Sequence, residues 1–214
     1  MPLVDIEFST NRCDLPSDVR DFLREAHLRV GQFVRKSPIR VSGFAPSGFA
    51  TVYRSLRAIV EAKLAPGNSF CEWESGFGAV ASLAAMLKFR AHGIEIEKGL
   101  VDASKQLADD FGLPVEFVHG SFIPPGRGAN ADEACAKNNA EFFGLVSDAD
   151  SAYRELGLDP NEFDIFFAYP WPSEEQAIEN LFAHYAAEGA LLLTYNQYHS
   201  VRLRRKVGER SGGS

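Results

Sequence analysis

Apolar residues recur at helical spacing in the first third of the chain and form short continuous runs after it. Between residues 17 and 36, the apolar side chains fall on one face of a helix and the charged ones on the other. A second helix is predicted over 48–63, and the turn "APGN" at 65–68 follows it. We therefore expect an N-terminal helical extension over residues 1–62.

From residue 69 onward the chain alternates between predicted strands and helices. The predicted strands are 69–73, 91–96, 114–118, 163–169 and 189–195. The predicted helices are 77–90, 98–111 and 173–187, with helical turns within 131–156. Apolar strands that alternate with helices indicate an α/β fold, with a mostly parallel sheet and helices on both faces. The sequence thus predicts a Rossmann-like domain over 63–207 and a flexible tail over 208–214.

Composition and charge narrow the classes of function. The 214 residues carry a formal net charge of -7, and 45% of them are hydrophobic, which is ordinary for a globular domain. Basic residues are scattered except for "RLRRK" at 202–206, so nucleic-acid binding is not favoured. No apolar run is long enough for a membrane span, and neither cysteines nor histidines have metal-ligand spacing. We expect a cytoplasmic protein without a metal site.

The joint between the strand at 69–73 and its helix carries the main candidate site. It reads "CEWESGFGAVASLAAM", and its glycines, Gly76 and Gly78, let the backbone approach a ligand closely. Parallel sheets bind ligands at the carboxyl ends of their strands. The joint should therefore share one rim with Glu95 and with the segment 169–172.

One class of ligand for such a joint is the dinucleotides. The run "GFGAVA" at 76–81 matches G-x-G-x-x-A, a pattern that is weak by itself. An NAD(P)-dependent oxidoreductase of similar fold therefore stays open. Two features argue against it: Glu72 ends the strand where it would repel a pyrophosphate, and the motif begins some 70 residues into the chain.

The acidic residues around the glycines indicate another cofactor. The run "EWESGFG" at 72–78, followed by Glu95 at the end of the next strand, resembles motif I and the ribose-binding acid of class I S-adenosylmethionine-dependent methyltransferases. The family pattern is acid-x-Gly-x-Gly-x-Gly, and the resemblance covers about residues 40–196. It implies that Glu95 accepts the ribose hydroxyls and that Glu72 lies by the methionine ammonium. The implied cofactor-binding residues are Glu72, Glu74, Ser75, Gly76, Gly78, Glu95, Ser121 and Phe122.

Two positions depart from the family pattern. Glu74 replaces the first glycine; its side chain either crowds the methionine end of the pocket or points outward and holds the ammonium or sulfonium. We expect Glu74 to hinder cofactor binding, so a non-catalytic, methyltransferase-like binding protein with a degenerate site is a further alternative. Ser121 stands where the family often has an acid for the adenine amino group. Adenine recognition would then rest on backbone groups, Ser121 and Phe122.

The acceptor side of the site is less defined by the sequence. The segment "AYPWP" at 168–172 lies where the family keeps motif IV, but an alanine replaces its first polar residue. Tyr169 and Trp171 either form an aromatic wall for a planar or cationic acceptor or simply close the end of the sheet. His119 and Tyr195 are candidates for a base or a hydrogen-bond donor. The acceptor, a small molecule or a protein side chain, stays open.

The sheet edge after the fifth predicted strand looks incomplete. Family members usually add an antiparallel pair of strands, whereas residues 197–207 leave room for one. An exposed sheet edge is prone to pair with another chain. We therefore expect that a homodimer would cover it.

Overall fold

The computed structural model describes residues 2–10, 14–36, 48–124, 152–170, 174–196 and 198–208. The strands are β1 (Leu3–Asp5), β2 (Ser69–Trp73), β3 (Arg90–Glu95), β4 (Val115–His119), β5 (Ile165–Ala168), β6 (Leu191–Tyr195) and β7 (Val201–Lys206). The helices are α1 (Ser17–Lys36), α2 (Phe49–Glu61), α3 (Ala79–Met86), α4 (Lys98–Asp110), α5 (Ala152–Leu156) and α6 (Glu175–Tyr185), with a 3-10 turn at Pro160–Glu162. The seven strands form one sheet.

The sheet is parallel from β2 to β6 and reverses its strand order in the middle. Its spatial order is β1-β7-β6-β5-β2-β3-β4. The chain runs outward from β2 to β3 and β4, returns to β5 on the other side of β2, and continues to β6. Ligands of such sheets bind at the carboxyl ends of the strands, where the order reverses. The predicted Rossmann-like α/β fold is confirmed, and the reversal lies between β2 and β5.

Helices cover both faces of the sheet. On one face α2, α3 and α4 pack against side chains such as Phe70, with Val80 and Val101 in the same core cluster. On the other face α5 and α6 pack against side chains such as Cys71, with Ile178 in that cluster. Neighbouring residues of a strand point to opposite faces. Because both faces are covered, every residue of β2 is buried.

α1 has its predicted limits, and the ends of the other predicted helices lie at most four residues from those predicted. The largest change is in α3, which spans Ala79–Met86 instead of 77–90. Gly78 at its N-cap and Lys88 after its end both have left-handed backbone, with φ of 66° and 71°. Most of the stretch predicted to contain helical turns lies outside the described residues. Among the helices that the structure describes, none is long and apolar enough to cross a membrane.

The edge beyond β6 is completed by the first residues of the chain. β7 runs antiparallel to β6, and β1 pairs antiparallel with the other side of β7, placing Val4 opposite Arg205. The sequence did not predict β1, and the question it left open, whether the sheet is complete after the fifth predicted strand, is answered by β7 and β1, which extend the sheet beyond β6. Part of the segment predicted as a helical extension is thus a strand of the sheet. The argument for a homodimer loses its basis, and dimerisation stays a prediction.

The basic side chains of β7 make contacts within the fold. Arg202 makes a two-pronged ion pair with Asp5, at 2.6 and 3.0 Å. Arg204 pairs with Glu179 of α6. Lys206 is buried, and its ammonium donates to carbonyl oxygens at the C-terminal end of α6, where a cation is favoured by the helix dipole. These basic side chains hold the sheet edge to α6.

Candidate functional site

The loop between β2 and α3 places every second residue in the left-handed conformation. Glu74, Gly76 and Gly78 have φ values of 55°, 54° and 66°. A turn closes the loop, because the N–H of Gly78 donates to the carbonyl oxygen of Ser75 at 2.7 Å. Left-handed backbone costs a residue with a Cβ about 1–2 kcal/mol. Glu74 therefore keeps the backbone conformation that suits the glycine it replaces.

Gly78 is also required for packing. A Cβ at this position would overlap Cζ of Phe117 and lie 2.8 Å from Cβ of Ser104. A Cβ on Gly93 of β3 would lie 2.5 Å from Cδ1 of the same phenylalanine. The ring of Phe117 thus fills the space that two missing side chains leave. The sequence analysis explained Gly78 by ligand approach alone, whereas the structure adds this close helix–strand packing.

Glu95 ties the loop after β2 to the loop after β3. Its Oε2 accepts a hydrogen bond from the N–H of Gly76 at 2.8 Å, and its Oε1 accepts one from the N–H of Glu97 at 2.9 Å. The side chain is buried, and burial raises the pKa of its carboxyl group against the opposing effect of these hydrogen bonds. Each carboxylate oxygen retains capacity for a further donor. Glu95 lies at the rim, as the sequence predicts.

Glu72 lies beneath the loop and caps α3. Its Oε2 accepts a hydrogen bond from the N–H of Ala81 at 2.8 Å. The N-cap residue Gly78 has no side chain to fill this role, and a carboxylate at a helix N-terminus is favourable. Burial raises the pKa of the Glu72 carboxyl well above its usual range, and the nearby Glu95 raises it further. The side chain of Glu72, from β2, thus bonds the N-terminal turn of α3, the helix that follows the glycine loop.

Glu74 lies at the rim of the sheet among other acidic side chains. Its side chain is exposed to solvent, yet desolvation by the surrounding protein raises the pKa of its carboxyl to about 7, helped by the carboxylates of Glu174 and Glu95. Glu174 precedes α6 on the chain that returns from β5. The two acids therefore flank the point where the strand order reverses.

Ser121 and Phe122 are buried near the end of β4. The hydroxyl oxygen of Ser121 accepts a hydrogen bond from the N–H of Ile123 at 3.1 Å. The ring of Phe122 stacks on Trp73, with centroids 5.3 Å apart, and the Trp73 indole N–H donates to the hydroxyl of Tyr153 at 2.9 Å. Both residues predicted to contact adenine thus belong to packed structure at the rim. Their roles in binding stay predictions.

Two tyrosines meet at the ends of β5 and β6. The rings of Tyr169 and Tyr195 lie 5.6 Å apart, and a Cβ on Gly48 would come within 2.6 Å of the Tyr195 ring. The hydroxyl of Tyr195 and Nδ1 of His199 share a hydrogen bond of 2.8 Å. The sequence analysis missed His199, which turns back toward Tyr195 through a left-handed backbone with φ of 58°. Trp171 lies outside the described residues.

His119 lies on the opposite side of the rim from the tyrosines. It pairs with Glu95 across β3 and β4, and its exposed ring donates from Nε2 to the carbonyl oxygen of Ile96 at 2.8 Å. Four strand spacings separate β4 from β6, or about 19 Å. The structure therefore does not bring His119 together with Tyr195, and the two cannot act on one small acceptor group.

The rim as a whole suits hydroxyl and cationic ligands. Acidic side chains end β2 and β3, and the buried hydroxyl of Ser75 has no hydrogen-bond partner in the described part of the chain. The N-terminus of α3, an anion site in many α/β proteins, already holds the carboxylate of Glu72. Across the described ranges, no group of three or more His, Cys, Asp or Glu residues is arranged to hold a metal.

Solved structures of similar fold include methyltransferases. An RNA methyltransferase from Salinibacter ruber, in complex with S-adenosyl-L-homocysteine, matches with a TM-score of 0.51 and 16% identity, over 77% of this chain and 95% of its own. A putative O-methyltransferase from Klebsiella pneumoniae matches with a TM-score of 0.50 and 14% identity, over 86% of this chain and 66% of its own. No family model and no curated protein matches the chain. At these identities the likeness concerns the fold alone: the chain has the fold of the class I methyltransferases.

Proposed function

We propose that this protein is an S-adenosylmethionine-dependent methyltransferase. The observation that carries the proposal is the hydrogen bond from the N–H of Gly76 to Glu95, which fixes a glycine loop beside an acid at the ends of two adjacent parallel strands. The methyltransferase fold of the chain supports the same conclusion. When bound, S-adenosylmethionine supplies an activated methyl group on a positively charged sulfur.

The arrangement around α3 favours this cofactor over a dinucleotide. A pyrophosphate needs free N–H groups at the helix N-terminus. Here the N–H of Ala81 is taken by the buried carboxyl group of Glu72 and is not free for a phosphate. A cofactor without phosphate does not need this N–H group. The antiparallel strand β7 also agrees with the strands that methyltransferases add to their sheets.

Some residues of the rim would bind the cofactor, and others would bind the acceptor. Glu95 offers its remaining lone pairs to ribose hydroxyls, and Gly76 and Gly78 keep side chains out of the loop. Tyr169 and Tyr195 line the acceptor side at the ends of β5 and β6. Methyl transfer from a sulfonium needs alignment and exclusion of water more than a strong base. The packed rings of Tyr169 and Tyr195 would contribute to both.

The acceptor we propose is a small molecule or a protein side chain of the cytoplasm. The net charge of -7 disfavours nucleic acid. In the basic run of β7, the charges of Arg202 and Arg204 are already paired with Asp5 and Glu179. One of the proteins of similar fold is an RNA methyltransferase. The acceptor proposed for this chain therefore differs from the acceptor of that protein.

Calorimetry with S-adenosylmethionine, S-adenosylhomocysteine and NADH tests the proposal. We expect binding of the first two only. Glu95→Ala should weaken that binding by roughly 1–3 kcal/mol through lost charge-assisted hydrogen bonds, whereas Glu97→Ala, on the same loop, should leave it unchanged. Preferential binding of NADH would overturn the proposal in favour of an oxidoreductase.

A non-catalytic binding protein is the second candidate, and Glu74 is the observation that favours it. This side chain stands at the first glycine of the family motif. Incubation with S-adenosylmethionine labelled in its methyl group, together with small amines, phenols and a protein extract, separates the two. Transfer of the labelled methyl group to any of these acceptors would show that the protein is an enzyme. Tight binding of S-adenosylmethionine without transfer to any of them would favour a binding protein.

A further inference from the structure

Two carboxyl groups follow the strands between which the strand order reverses, where sheets of this kind form their ligand crevice. Glu74 follows β2 directly, and Glu174 precedes α6 on the chain that returns from β5. β2 and β5 are adjacent, with Glu72 opposite Phe167. Glu74 is exposed on this rim, whereas Glu174 is buried. The charge of Glu174 also contributes to raising the pKa of the Glu74 carboxyl.

Within the described part of the chain, no cationic group balances the charge of Glu74. Glu74 makes no hydrogen bond or ion pair with any residue that the structure describes. The charged groups that act on it are Glu174, at the start of α6, and Glu95, at the end of β3, and both are acidic. Beside it, the buried hydroxyl of Ser75 lacks a hydrogen-bond partner within the described ranges. An uncompensated carboxylate in a crevice attracts a cationic group.

We propose that Glu74 makes this crevice selective for a cationic ligand, so that it binds S-adenosylmethionine, with its positive sulfonium, in preference to S-adenosylhomocysteine, with its neutral thioether. The inference rests on the proposed function and adds a specificity-determining residue to it. The sequence analysis expected Glu74 to hinder the cofactor. The solvent-facing side chain supports the other role considered there, in which its charge holds a cation.

This selectivity would give the methyl donor a higher affinity than the product that remains after transfer. When the S–CH₃ bond breaks, its electron pair stays on sulfur and the methyl group goes to the acceptor, so the positive charge of the sulfur disappears. The attraction of Glu74 then applies to the donor and no longer to the product. A crevice of this kind releases S-adenosylhomocysteine more readily than one without the acid.

The selectivity should increase as the pH rises. Burial and the two acidic neighbours raise the pKa of Glu74 to about 7. Below that pH the carboxyl group is mostly protonated and neutral, so it does not distinguish the two ligands. Above that pH it is anionic and attracts the sulfonium. By linkage, bound S-adenosylmethionine in turn lowers the pKa of Glu74.

Calorimetric dissociation constants for S-adenosylmethionine and S-adenosylhomocysteine at pH 6 and pH 8 test the inference. In the wild-type protein, the preference for S-adenosylmethionine should be about fivefold larger at pH 8, as expected for one partly exposed charge pair. In Glu74→Gln, which keeps the size of the side chain, that gain should vanish. Comparing both proteins at each pH cancels the titration of the ligands' own amino groups. The matched control Glu97→Gln should behave as the wild type.

The outcomes separate this inference from the proposed function. If neither ligand binds the wild-type protein, the proposed function fails and the inference fails with it. If both bind but Glu74→Gln retains the pH-dependent preference, the proposed function stands and the role of Glu74 is refuted. If Glu74→Gln binds both ligands more tightly, Glu74 is a hindrance, and the inference is again overturned.

Discussion

The carboxylate of Glu95 holds the backbone N–H of Gly76 at 2.8 Å, so the glycine loop is fixed by an acid from the neighbouring strand. Its other oxygen holds the N–H of Glu97 at 2.9 Å. The residue that the family resemblance assigns to ribose binding therefore has a structural role before any ligand arrives. Substitution of Glu95 should therefore lower both the stability of the fold and the affinity for the cofactor.

Glu95→Ala should lower the free energy of unfolding. Two backbone N–H groups lose a charged acceptor, and each such hydrogen bond contributes about 1.5–3 kcal/mol. Allowing for partial solvation of the freed groups, we expect a loss of roughly 2–4 kcal/mol in urea denaturation. Glu97→Ala keeps both N–H groups bonded and should change stability by less than about 0.5 kcal/mol. Equal losses in the two variants would refute the structural role.

The two substitutions of Glu72 by alanine and by glutamine should have opposite consequences. Glu72→Ala leaves the N–H of Ala81 buried without its acceptor and opens a cavity, costing about 2–4 kcal/mol. Glu72→Gln keeps an acceptor oxygen and removes an ionisable group that is buried close to Glu95. We expect it to be neutral or stabilising at pH 7 in thermal denaturation. A large loss in Glu72→Gln would show that the charge itself is needed.

The sequence predicts the rim well where local pattern and strand order decide the structure. The apolar run before Gly76 and the turn at "APGN" fix β2, and strand order then places Glu95 beside the loop. The close packing of Gly78 under Phe117 involves residues 39 positions apart. No local pattern reveals such a contact, so the sequence assigned Gly78 to ligand approach alone.

Long-range pairing accounts for the other features that the sequence did not reveal. β1 has three residues and is defined by β7, about 200 positions later. The basic run of β7 resembled a solvated surface because its acidic partners, Asp5 and Glu179, are remote in sequence. These contacts need the folded sheet to bring their partners together. The hydrogen bond between Tyr195 and His199 is local, but it depends on a left-handed turn that no glycine marks.

Stability should fall as the pH rises from about 4.5 to 7. The folded state raises the pKa of Glu74 from 4.5 to about 7, so it binds a proton that the unfolded chain releases in this range. Stability from such a group is fully present below the unfolded pKa and is lost as the pH passes the folded pKa. Urea denaturation of Glu74→Gln should show a shallower decline across this range than the wild type. An unchanged slope would contradict the raised pKa.

Glu74→Gly should not destabilise the fold. Glycine adopts φ near 55° without the cost of about 1–2 kcal/mol that a Cβ imposes there, which offsets its greater freedom in the unfolded chain of about 0.5–1 kcal/mol. We expect a gain of up to about 1 kcal/mol in urea denaturation. Lys105→Gly is the control: Lys105 lies exposed inside α4, so the substitution should cost about 1 kcal/mol. A loss of similar size in Glu74→Gly would show that no backbone strain is stored there.

Gly78→Ala separates backbone strain from packing when it is compared with Gly112→Ala. The two glycines have nearly the same backbone, with φ of 66° and 60°, but a Cβ at Gly112 meets nothing within 4 Å whereas one at Gly78 overlaps Phe117. Gly112→Ala should cost only the left-handed strain, about 1–2 kcal/mol. Gly78→Ala should cost about 1–3 kcal/mol more, because the ring must move in a filled core.

A double-mutant cycle identifies the ring as the cause of that extra cost. Phe117→Leu removes part of the ring that a Cβ on Gly78 would overlap. The double variant Gly78→Ala/Phe117→Leu should therefore lose at least about 1 kcal/mol less than the sum of the two single losses in urea denaturation. The same cycle with Gly112→Ala in place of Gly78→Ala should be additive, since that glycine touches nothing near the ring. Additivity in both cycles would mean that Gly78 is required only for its backbone conformation, and that the glycine loop is not held in place by Phe117.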